Sequence, residues 1–329
     1  MNKIGTDTTG GTASDAPDLS IVVAIIAGGR EPMATCLGAL QADVETMKVE
    51  VLVPYDARLD DVAGLSDQFP WAQFIDARDR VDSESFGRHT REHHDVLRAI
   101  GLLAARGRVV ALLEDHGTPS AQWCRSMLAM HEQDVTAVGG AVDNGVDRLL
   151  NWAVYYCDFG RYQNPVPEGE AEFLSDSNSS YKREALFELV DTWQDAFHET
   201  SINWELARRD GKLKLNGEMV VFQTRKTLTL GAALGERFVW GRSFAGTRAG
   251  EISGGKRVVY ALLSWLLPFL MTLRIVRNGF AKRTRRGKLI AALPLIFVLQ
   301  CFWAVGELVG YVTGRTGGPD TSTDAAAAG

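Results

Sequence analysis

In the first third of the chain, continuous apolar runs alternate with segments in which apolar residues recur every three or four positions. Continuous runs are typical of strands buried on both faces, and the wider spacing is typical of amphipathic helices. The predicted strands cover 19–26, 49–53, 72–75 and 109–113, and the predicted helices cover 31–42, 60–68 and 85–106. This alternation predicts an α/β fold, with a mostly parallel sheet and helices on both of its faces.

The middle of the chain has a weaker pattern. A helix over 122–131 and a strand over 135–142 continue the alternation, whereas 147–175 is aromatic-rich and irregular. Beyond it, the spacing of apolar residues predicts helices over 183–191 and 199–210 and short strands over 213–215 and 219–222. The chain has no internal repeat.

Two apolar stretches follow, and a basic link separates them. The first, 258–273, contains Pro268 and is short for a membrane span of about 20 residues. The second, 289–312, is longer and contains Pro294. The favoured interpretation is a hairpin or a pair of interfacial helices, with the link 274–288 at anionic headgroups. Two membrane-spanning helices also fit the pattern.

The charge of the chain is unevenly distributed. Residues 1–236 carry a net charge of −15, whereas 237–288 contains twelve Lys or Arg and one acidic residue. An acidic globular part followed by a basic apolar part suits a membrane surface better than nucleic acid. The four cysteines have neither metal nor redox spacing and predict no disulfide framework, which fits a reducing cytosol.

The predicted strand over 109–113 is followed at once by three side chains that can bind a divalent cation, Glu114, Asp115 and His116. Ligands of open α/β sheets bind at the carboxyl ends of strands, so this cluster stands where such a fold does its chemistry. Carboxylates beside an imidazole suit Mn²⁺, or Mg²⁺. Asp56 ends the second strand at the same predicted edge and could accept hydrogen bonds from a base or ribose. Capping and turn roles are the alternative for these acidic residues.

Several motifs, in this order and spacing, resemble the family 2 inverting glycosyltransferases, which have the GT-A fold. Residues 19–24 and 36–40 resemble that family's first strand and helix. Residues 51–60 resemble its strand that ends in an acidic nucleotide-binding turn, although Tyr55 stands where the first acidic residue is usual. Glu114-Asp115-His116 stands at the Asp-x-Asp metal motif, with His at its third position.

The second half of the chain continues the resemblance. Residues 176–183 resemble the Asn-x-x-Tyr/Phe-Arg-Arg segment that borders the acceptor site. His198-Glu199-Thr200 stands at the Glu-Asp pair, whose second acid is usually the general base, and here Glu199 is the only acid. Residues 237–242 resemble the late basic and aromatic segment that closes over the diphosphate.

The resemblance implies a role for each of these residues. Glu199 would be the general base, and the metal, Mn²⁺ or Mg²⁺, would be bound by Glu114, Asp115 and His116. The residues assigned to the nucleotide-sugar donor are Ala24, Asp56, Arg88, Asp115 and Arg242. The residues assigned to the acceptor are Asn178 and Trp240.

The resulting domain prediction has four parts. They are a disordered leader (1–18), a GT-A-like glycosyltransferase domain (19–250), a membrane-associated segment of two apolar helices with a basic link (251–313) and a disordered tail (314–329). The expected function is transfer of a sugar from a nucleotide sugar to a lipid-linked or envelope-glycan hydroxyl. The expected location is the cytoplasmic face of the cell membrane, and nucleic acid is not an expected partner.

Other functions also fit the sequence. The altered metal and base motifs suit a non-catalytic binding or scaffold protein that keeps the GT-A fold, and a nucleotidyltransferase on a similar fold is a third interpretation. His89 and His93 share a predicted helix face in the manner of two zinc ligands. No third ligand follows them, so surface or partly buried polar histidines are the better interpretation.

Overall fold

The structure is a computed structural model, and it describes residues 16–26, 29–58, 61–81 and 91–315. The contacts between residues divide the chain into two compact units. The first unit takes in the described residues up to 140 together with 167–221, and the second takes in 141–166 and the residues from 222 onwards. The domain boundary expected at residue 250 stays a prediction.

The described strands join into one sheet. They are β1 (Leu19–Ala24), β2 (Val49–Tyr55), β3 (Ala72–Asp76), β4 (Val109–Glu114), β5 (Gly117–Pro119), β6 (Ala137–Asn144), β7 (Gly169–Glu170), β8 (Asn178–Lys182) and β9 (Leu213–Gln223). Their order across the sheet is β3-β2-β1-β4-β8-β6-β9-β5, and β7 pairs with β9.

The helices follow the same chain order. They are α1 (Arg30–Thr46), α2 (Arg91–Ala104), α3 (Trp123–His131), α4 (Leu149–Asp158), α5 (Arg183–Phe187), α6 (Val190–Trp193), α7 (Glu199–Arg208), α8 (Leu230–Glu251), α9 (Gly254–Leu263), α10 (Leu267–Ala281) and α11 (Arg286–Thr313). Five of them, α4 and α8 to α11, lie in the second unit.

The predicted α/β fold class is confirmed, with a central sheet flanked by helices and apolar helices at the C-terminal end. Strands β3, β2, β1 and β4 are parallel neighbours. All six residues of β1 and all six of β4 are buried, which explains their continuous apolar sequences.

The sheet changes direction at β8, which is antiparallel to both β4 and β6. The sequence of β8 is polar and predicts no strand, yet its serines are buried. Ser180 Oγ lies 2.9 Å from His131 Nε2 and 3.3 Å from the carbonyl oxygen of Val138, so the hydroxyl group of Ser180 is hydrogen-bonded inside the core. Burial lowers the pKa of His131 to about 3, which keeps this ring neutral.

Some predicted elements are wrong. The helix expected over 60–68 is, in its described part, only a 3₁₀ turn at Ala63–Leu65. The irregular stretch 147–175 contains α4, whose six consecutive buried residues leave no amphipathic period to detect. The two strands expected after Gly211 are one continuous strand, β9, because Asn216-Gly217 does not turn the chain.

α11 packs against α4 in the apolar core of the second unit. Leu289, Ala292, Ile296 and Leu299 recur every three or four residues, so one face of α11 supplies all four. They form a buried cluster with aromatic residues of α4, namely Trp152, Tyr155 and Tyr156.

α8 and α11 approach so closely that glycine is required where they touch. A Cβ atom added at Gly306 would collide with the carbonyl oxygen of Phe238, and one at Gly310 would collide with the carbonyl oxygen of Arg242. The contacts advance in the same direction on both helices, which therefore run parallel. Small residues four positions apart are what allow two helix backbones to come this close.

Gly306→Ala should therefore destabilise the protein, because the added methyl group must push α8 and α11 apart. Overpacking of this kind costs about 1–3 kcal/mol. The matched control is Gly250→Ala on α8, where an added Cβ meets no atom within 4 Å and gains up to about 1 kcal/mol of helix propensity. Urea unfolding compares the two variants, and equal stabilities would contradict this packing.

Candidate active site

The carboxyl end of β4 lies beside the carboxyl end of β1 in the first unit. Ala24 is the register partner of Glu114, and the backbone N–H of Asp115 donates to the carbonyl oxygen of Ala24 at 3.0 Å. The Asp115 side chain accepts a hydrogen bond from the backbone N–H of Ile26 at 3.0 Å. Asp115 thus fixes the chain as it leaves β1, and it brings the predicted donor residue Ala24 next to the predicted metal ligands.

His116 lies between the two carboxylates that precede it. Its Nδ1 is 3.1 Å from Asp115 Oδ1, and its Nε2 is 3.3 Å from Glu114 Oε2. All three residues are buried. Within the described residues, however, no three His, Cys, Asp or Glu side chains are arranged to hold one ion together. Metal binding by this cluster stays a prediction.

A buried arginine, Arg98, connects this cluster to two other segments. Arg98 lies on α2, and its side chain is only 3% exposed. One terminal nitrogen is 3.0 Å from Asp95 Oδ1 and 2.9 Å from Asp176 Oδ2. The other is 3.4 Å from Glu114 Oε1. One guanidinium therefore joins α2, the end of β4 and the segment before β8.

The carboxylates around Arg98 keep it charged. Burial alone would lower its pKa, but the negative charges of Asp176, Glu114, Asp95 and Glu199 outweigh burial and raise the pKa above its ordinary value. Four carboxylates thus act on one buried guanidinium.

The predicted base, Glu199, is the first residue of α7, and the start of this helix is anchored on α2. The backbone N–H of Phe197 donates to the carbonyl oxygen of Asp95 at 2.9 Å. His198 Nδ1 lies 2.9 Å from Asp95 Oδ2. Glu199 is thereby held near enough to Arg98 to act on its charge. The start of α7 is thus connected to Glu114 through Asp95 and Arg98, and the roles of Glu199 as base and of Glu114 as metal ligand stay predictions.

Asp56, predicted to bind the donor, follows β2 and is fully buried. Its carboxylate accepts from the backbone N–H of Arg58 at 3.0 Å and from the Arg58 side chain at 2.9 and 2.7 Å. The side-chain hydrogen bond from Arg58 is the main reason that the pKa of Asp56 is lowered. Asp56 is therefore an ionised partner of Arg58, and its contact with a base or ribose stays a prediction.

Asn178, predicted to contact the acceptor, is fully buried at the start of β8. Its Oδ1 accepts from Trp123 Nε1 at 2.8 Å, and its Nδ2 donates to the carbonyl oxygen of Met219 at 2.8 Å. Both ends of the amide therefore connect α3 and β9 inside the first unit. The structure gives Asn178 a packing role, and the acceptor contact stays a prediction.

Three predicted residues remain, Arg88, Trp240 and Arg242. Arg88 is outside the described residues. Arg242 and Trp240 are on α8 in the second unit, and Arg242 is buried. Trp240 is 38% exposed, and the Arg237 guanidinium lies 5.3 Å from its ring centre. Their roles toward donor and acceptor stay predictions. Of the histidines expected at the surface or partly buried, His93 is fully enclosed, at 1% exposed.

The motif comparison misses Asp95, Arg98 and His198 as parts of the site. The sequence does hold a signal for the first two, since they stand three positions apart among apolar residues of α2. Charged residues are rarely buried without partners, so such a pair points to a buried network. Its partners cannot be read from spacing, because Glu114 and Asp176 are distant in the chain.

The comparisons with known proteins agree with the fold. No family model matches the chain, and neither does any curated protein. Among solved structures, the chain is similar to the mannosyltransferase PcManGT from Pyrobaculum calidifontis in complex with GDP-Man and Mn²⁺, with a TM-score of 0.50 and 12% identity over 89% of this chain and 87% of that one. A mycobacterial protein matches with a TM-score of 0.41 and 12% identity over 64% and 68%. The chain has a glycosyltransferase fold.

Arg98→Met should destabilise the protein strongly at pH 7, because it leaves the buried carboxylates without their cation. Removing one partner of a buried ion pair costs about 3–5 kcal/mol. The control is Arg106→Met, which removes a two-bond ion pair with Glu50 whose arginine is 71% exposed, and it should cost less than about 1 kcal/mol. Urea unfolding measures both losses.

The loss of stability in the Arg98→Met variant should also depend on pH. Without the guanidinium, mutual repulsion raises the pKa values of the carboxylates in the folded state above those in the unfolded state. The folded variant then takes up protons more readily than the unfolded chain as the pH falls from 7 towards 5, so its stability deficit should shrink. A deficit that is constant with pH would rule out this electrostatic origin.

Proposed function

We propose that this protein is a metal-assisted inverting glycosyltransferase, similar to family 2, that uses a nucleotide-sugar donor. One observation carries the proposal. In a glycosyltransferase fold, a buried acidic and imidazole cluster stands at the carboxyl ends of β1 and β4 and is joined through Arg98 to the start of α7. The strand ends are where α/β sheets bind their ligands.

The donor would lie along the edge formed by the ends of β1, β2 and β4. Ala24, Asp56 and Asp115 are assigned to it, because each stands at or just beyond one of these strand ends. Arg88 and Arg242 would supply positive charge for the phosphates, as the sequence resemblance implies. PcManGT, the solved structure with a similar fold, holds GDP-Man, which favours a nucleotide sugar as the donor class.

The chemistry of the cluster, two carboxylates and an imidazole, supports a divalent metal. Glu114 Oε2 and His116 Nε2 face each other at 3.3 Å, and oxygen with imidazole nitrogen suits Mn²⁺, or Mg²⁺. Glu114 and His116 would hold the ion together with Asp115. When bound, a divalent ion neutralises the negative charge that builds on a departing diphosphate.

Glu199 would remove the proton from the acceptor hydroxyl as that oxygen attacks the anomeric carbon. The bond from the sugar to the diphosphate breaks on the opposite face, so the configuration is inverted. Arg98 supports this assignment by position, since it interacts electrostatically with Glu199 and contacts Glu114.

The acceptor would be a lipid-linked or envelope glycan at the cytoplasmic face of the cell membrane, with Asn178 and Trp240 on the acceptor side. Two stretches, Gly254–Ala281 and Arg286–Thr313, are long and apolar enough to enter a membrane. An enzyme that takes nucleotide sugars from the cytosol and has such helices is suited to a membrane-bound acceptor.

Glu199→Gln should abolish transfer while leaving the fold and donor binding intact. Loss of a general base lowers the rate by about 10²–10⁴-fold. The matched control is Glu205→Gln on the same helix, where Glu205 is bound by Arg208 and Arg209, and its rate should stay close to wild type. Release of nucleoside diphosphate from the donor, with Mn²⁺ present, measures both. Full turnover by Glu199→Gln would remove Glu199 from the mechanism.

A nucleotide sugar should raise the melting temperature of the protein only when Mn²⁺ or Mg²⁺ is present. Saturation at about 100 times the Kd adds roughly 2.7 kcal/mol of stability. In Glu114→Gln and His116→Asn the nucleotide sugar should no longer raise the melting temperature, even with metal present, whereas Glu205→Gln should respond as wild type. A panel of nucleotide sugars and nucleoside diphosphates, with and without metal, measures the shift.

The same panel of nucleotide sugars, tested for both stabilisation and turnover, distinguishes the other functions. Stabilisation by a nucleotide sugar without any turnover, in wild-type protein, would favour a non-catalytic binding protein. Release of pyrophosphate in place of nucleoside diphosphate would identify a nucleotidyltransferase. If no nucleotide sugar stabilises or reacts with the protein, the glycosyltransferase proposal is wrong.

A further inference from the structure

Exposed large apolar side chains are concentrated in the second unit. Among the described residues, all such side chains except Leu149 and Trp204 lie between Leu230 and Val312. Along α9 and α10 they form a stripe at steps of three or four residues, each 57–68% exposed: Val258, Leu262, Trp265, Phe269 and Leu273. A helical stripe of this length extends roughly 22 Å. Exposed apolar surface on this scale indicates an interaction site.

The apolar surface continues from α10 onto α11. The rings of Phe269 and Phe297 pack edge to face with their centres 5.2 Å apart. On α11, Val298, Phe302 and Val305 are 40–52% exposed. The stripe and the outward side of α11 are therefore parts of the same helix pair.

The charges in this region are all positive. The sequence has no Asp or Glu between Glu251 and Glu307, although it has nine Lys or Arg there. Exposed cations occur at both ends of the stripe, and none of the following is ion-paired with a described acidic residue: Lys256, Arg274, Arg277 and Arg283. An apolar helix face bordered only by cations is typical of helices that bind anionic lipid surfaces.

The packing of α11 argues against a transmembrane span. By length and composition, both Gly254–Ala281 and Arg286–Thr313 could cross a bilayer. However, α11 touches the backbone of α8 at Gly306 and Gly310. The charged residues of α8 are Glu236, Arg237, Arg242, Arg248 and Glu251. If α11 spanned the membrane, these charges would enter the hydrocarbon with it, which is costly.

The link between α10 and α11 is bound by polar parts of its own unit. The segment 143–165 supplies two carboxylates and several carbonyl oxygens to three basic residues of the link. Arg285 binds Asp143, Lys288 binds Asp147, and Lys282 Nζ donates to the carbonyl oxygens of Gln163 and Pro165. These three residues thus have protein partners, and the contact of the whole link with headgroups stays a prediction. A bilayer cannot separate the link from the segment that binds it.

We infer that α9, α10 and the outward side of α11 lie in the plane of an anionic bilayer and insert from one side. Neither Gly254–Ala281 nor Arg286–Thr313 crosses this bilayer. Trp265, Phe269 and Leu273 enter the acyl region, while Arg274, Arg277 and Arg283 bind headgroup phosphates. This arrangement covers the apolar stripe and leaves the charges of α8 outside the hydrocarbon. It does not depend on the proposed chemistry, because membrane binding requires neither donor nor acceptor.

A second copy of the chain is a poorer occupant than a bilayer. Two copies related by a two-fold axis would bring the same patch into contact with itself. The cations that border the stripe would then face cations, with no acidic residue in the region to balance them. Like charges placed opposite one another are unfavourable at an interface. An anionic lipid surface provides the missing charge.

The first test measures binding to vesicles. Protein synthesised without detergent in the presence of vesicles with 30% anionic lipid (roughly the regime of cytoplasmic leaflets) should float with them on a density gradient. Trp265→Ser with Phe269→Ser should weaken this binding by about 100-fold or more, given the apolar area lost. The matched control is Trp204→Ser, an exposed tryptophan of the first unit, which should bind as wild type. Wild-type protein that stays off the vesicles would overturn the inference.

The second test addresses charge. Arg274→Gln with Arg277→Gln should weaken binding to anionic vesicles by about fivefold for each charge removed, and it should leave binding to neutral vesicles unchanged. Equal losses on both kinds of vesicle would contradict headgroup recognition. Sedimentation of the unbound protein measures its oligomeric state and so tests whether a second copy of the chain covers the stripe. A stable dimer that does not bind vesicles would assign the stripe to a second copy.

The third test distinguishes lying in the membrane from crossing it. Thr284→Cys places a thiol in the exposed link between α10 and α11. In vesicle-bound protein, a maleimide that cannot cross membranes should label this thiol fully from outside, with the wild-type protein reporting background from native cysteines. If labelling appears only after the vesicles are dissolved, the helices cross the bilayer and the inference fails.

Discussion

The structure of the first unit depends on the burial of one guanidinium among carboxylates from separate parts of the chain. Arg98 can be buried as a cation only because Asp95, Asp176 and Glu114 surround it. Asp95 and Glu114 are buried as well, and burying these carboxylates without Arg98 would in turn be costly. The arrangement of α2, β4 and the segment before β8 is therefore set by a single electrostatic requirement. A substitution that removes Arg98 would therefore change both the stability of the first unit and the geometry of the candidate site.

The same requirement organises the chemistry that we propose. Arg98 contacts Glu114, one of the proposed metal ligands, and acts electrostatically on Glu199, the proposed base. Asp95 adds a mechanical connection, because it binds both Arg98 and His198 at the start of α7. The proposed base and metal ligands thus share one support.

The parts of the fold that sequence predicts well are those in which burial is uniform. β1 and β4 are covered on both faces, so their apolar runs identify them, and parallel topology then brings Ala24 and Glu114 together at the sheet edge. β8 is missed because its buried residues are mostly polar, and Asn178 and Ser180 are satisfied by partners far away in the chain. Arg98 is missed for the same reason. Periodicity reports which residues are buried near one another, but not which distant group neutralises a charge.

The second unit shows where hydropathy stops being informative. The mean hydropathy of a helix averages over all of its faces, and the faces of α11 have different neighbours. One face packs with the aromatic residues of α4, another touches the backbone of α8 through Gly306 and Gly310, and a third is exposed at Phe302 and Val305. A transmembrane helix and a half-buried interfacial helix can therefore have equal hydropathy. The distinction comes from the neighbours: a helix packed against the backbone of a charged helix cannot cross the hydrocarbon unless that partner enters it too.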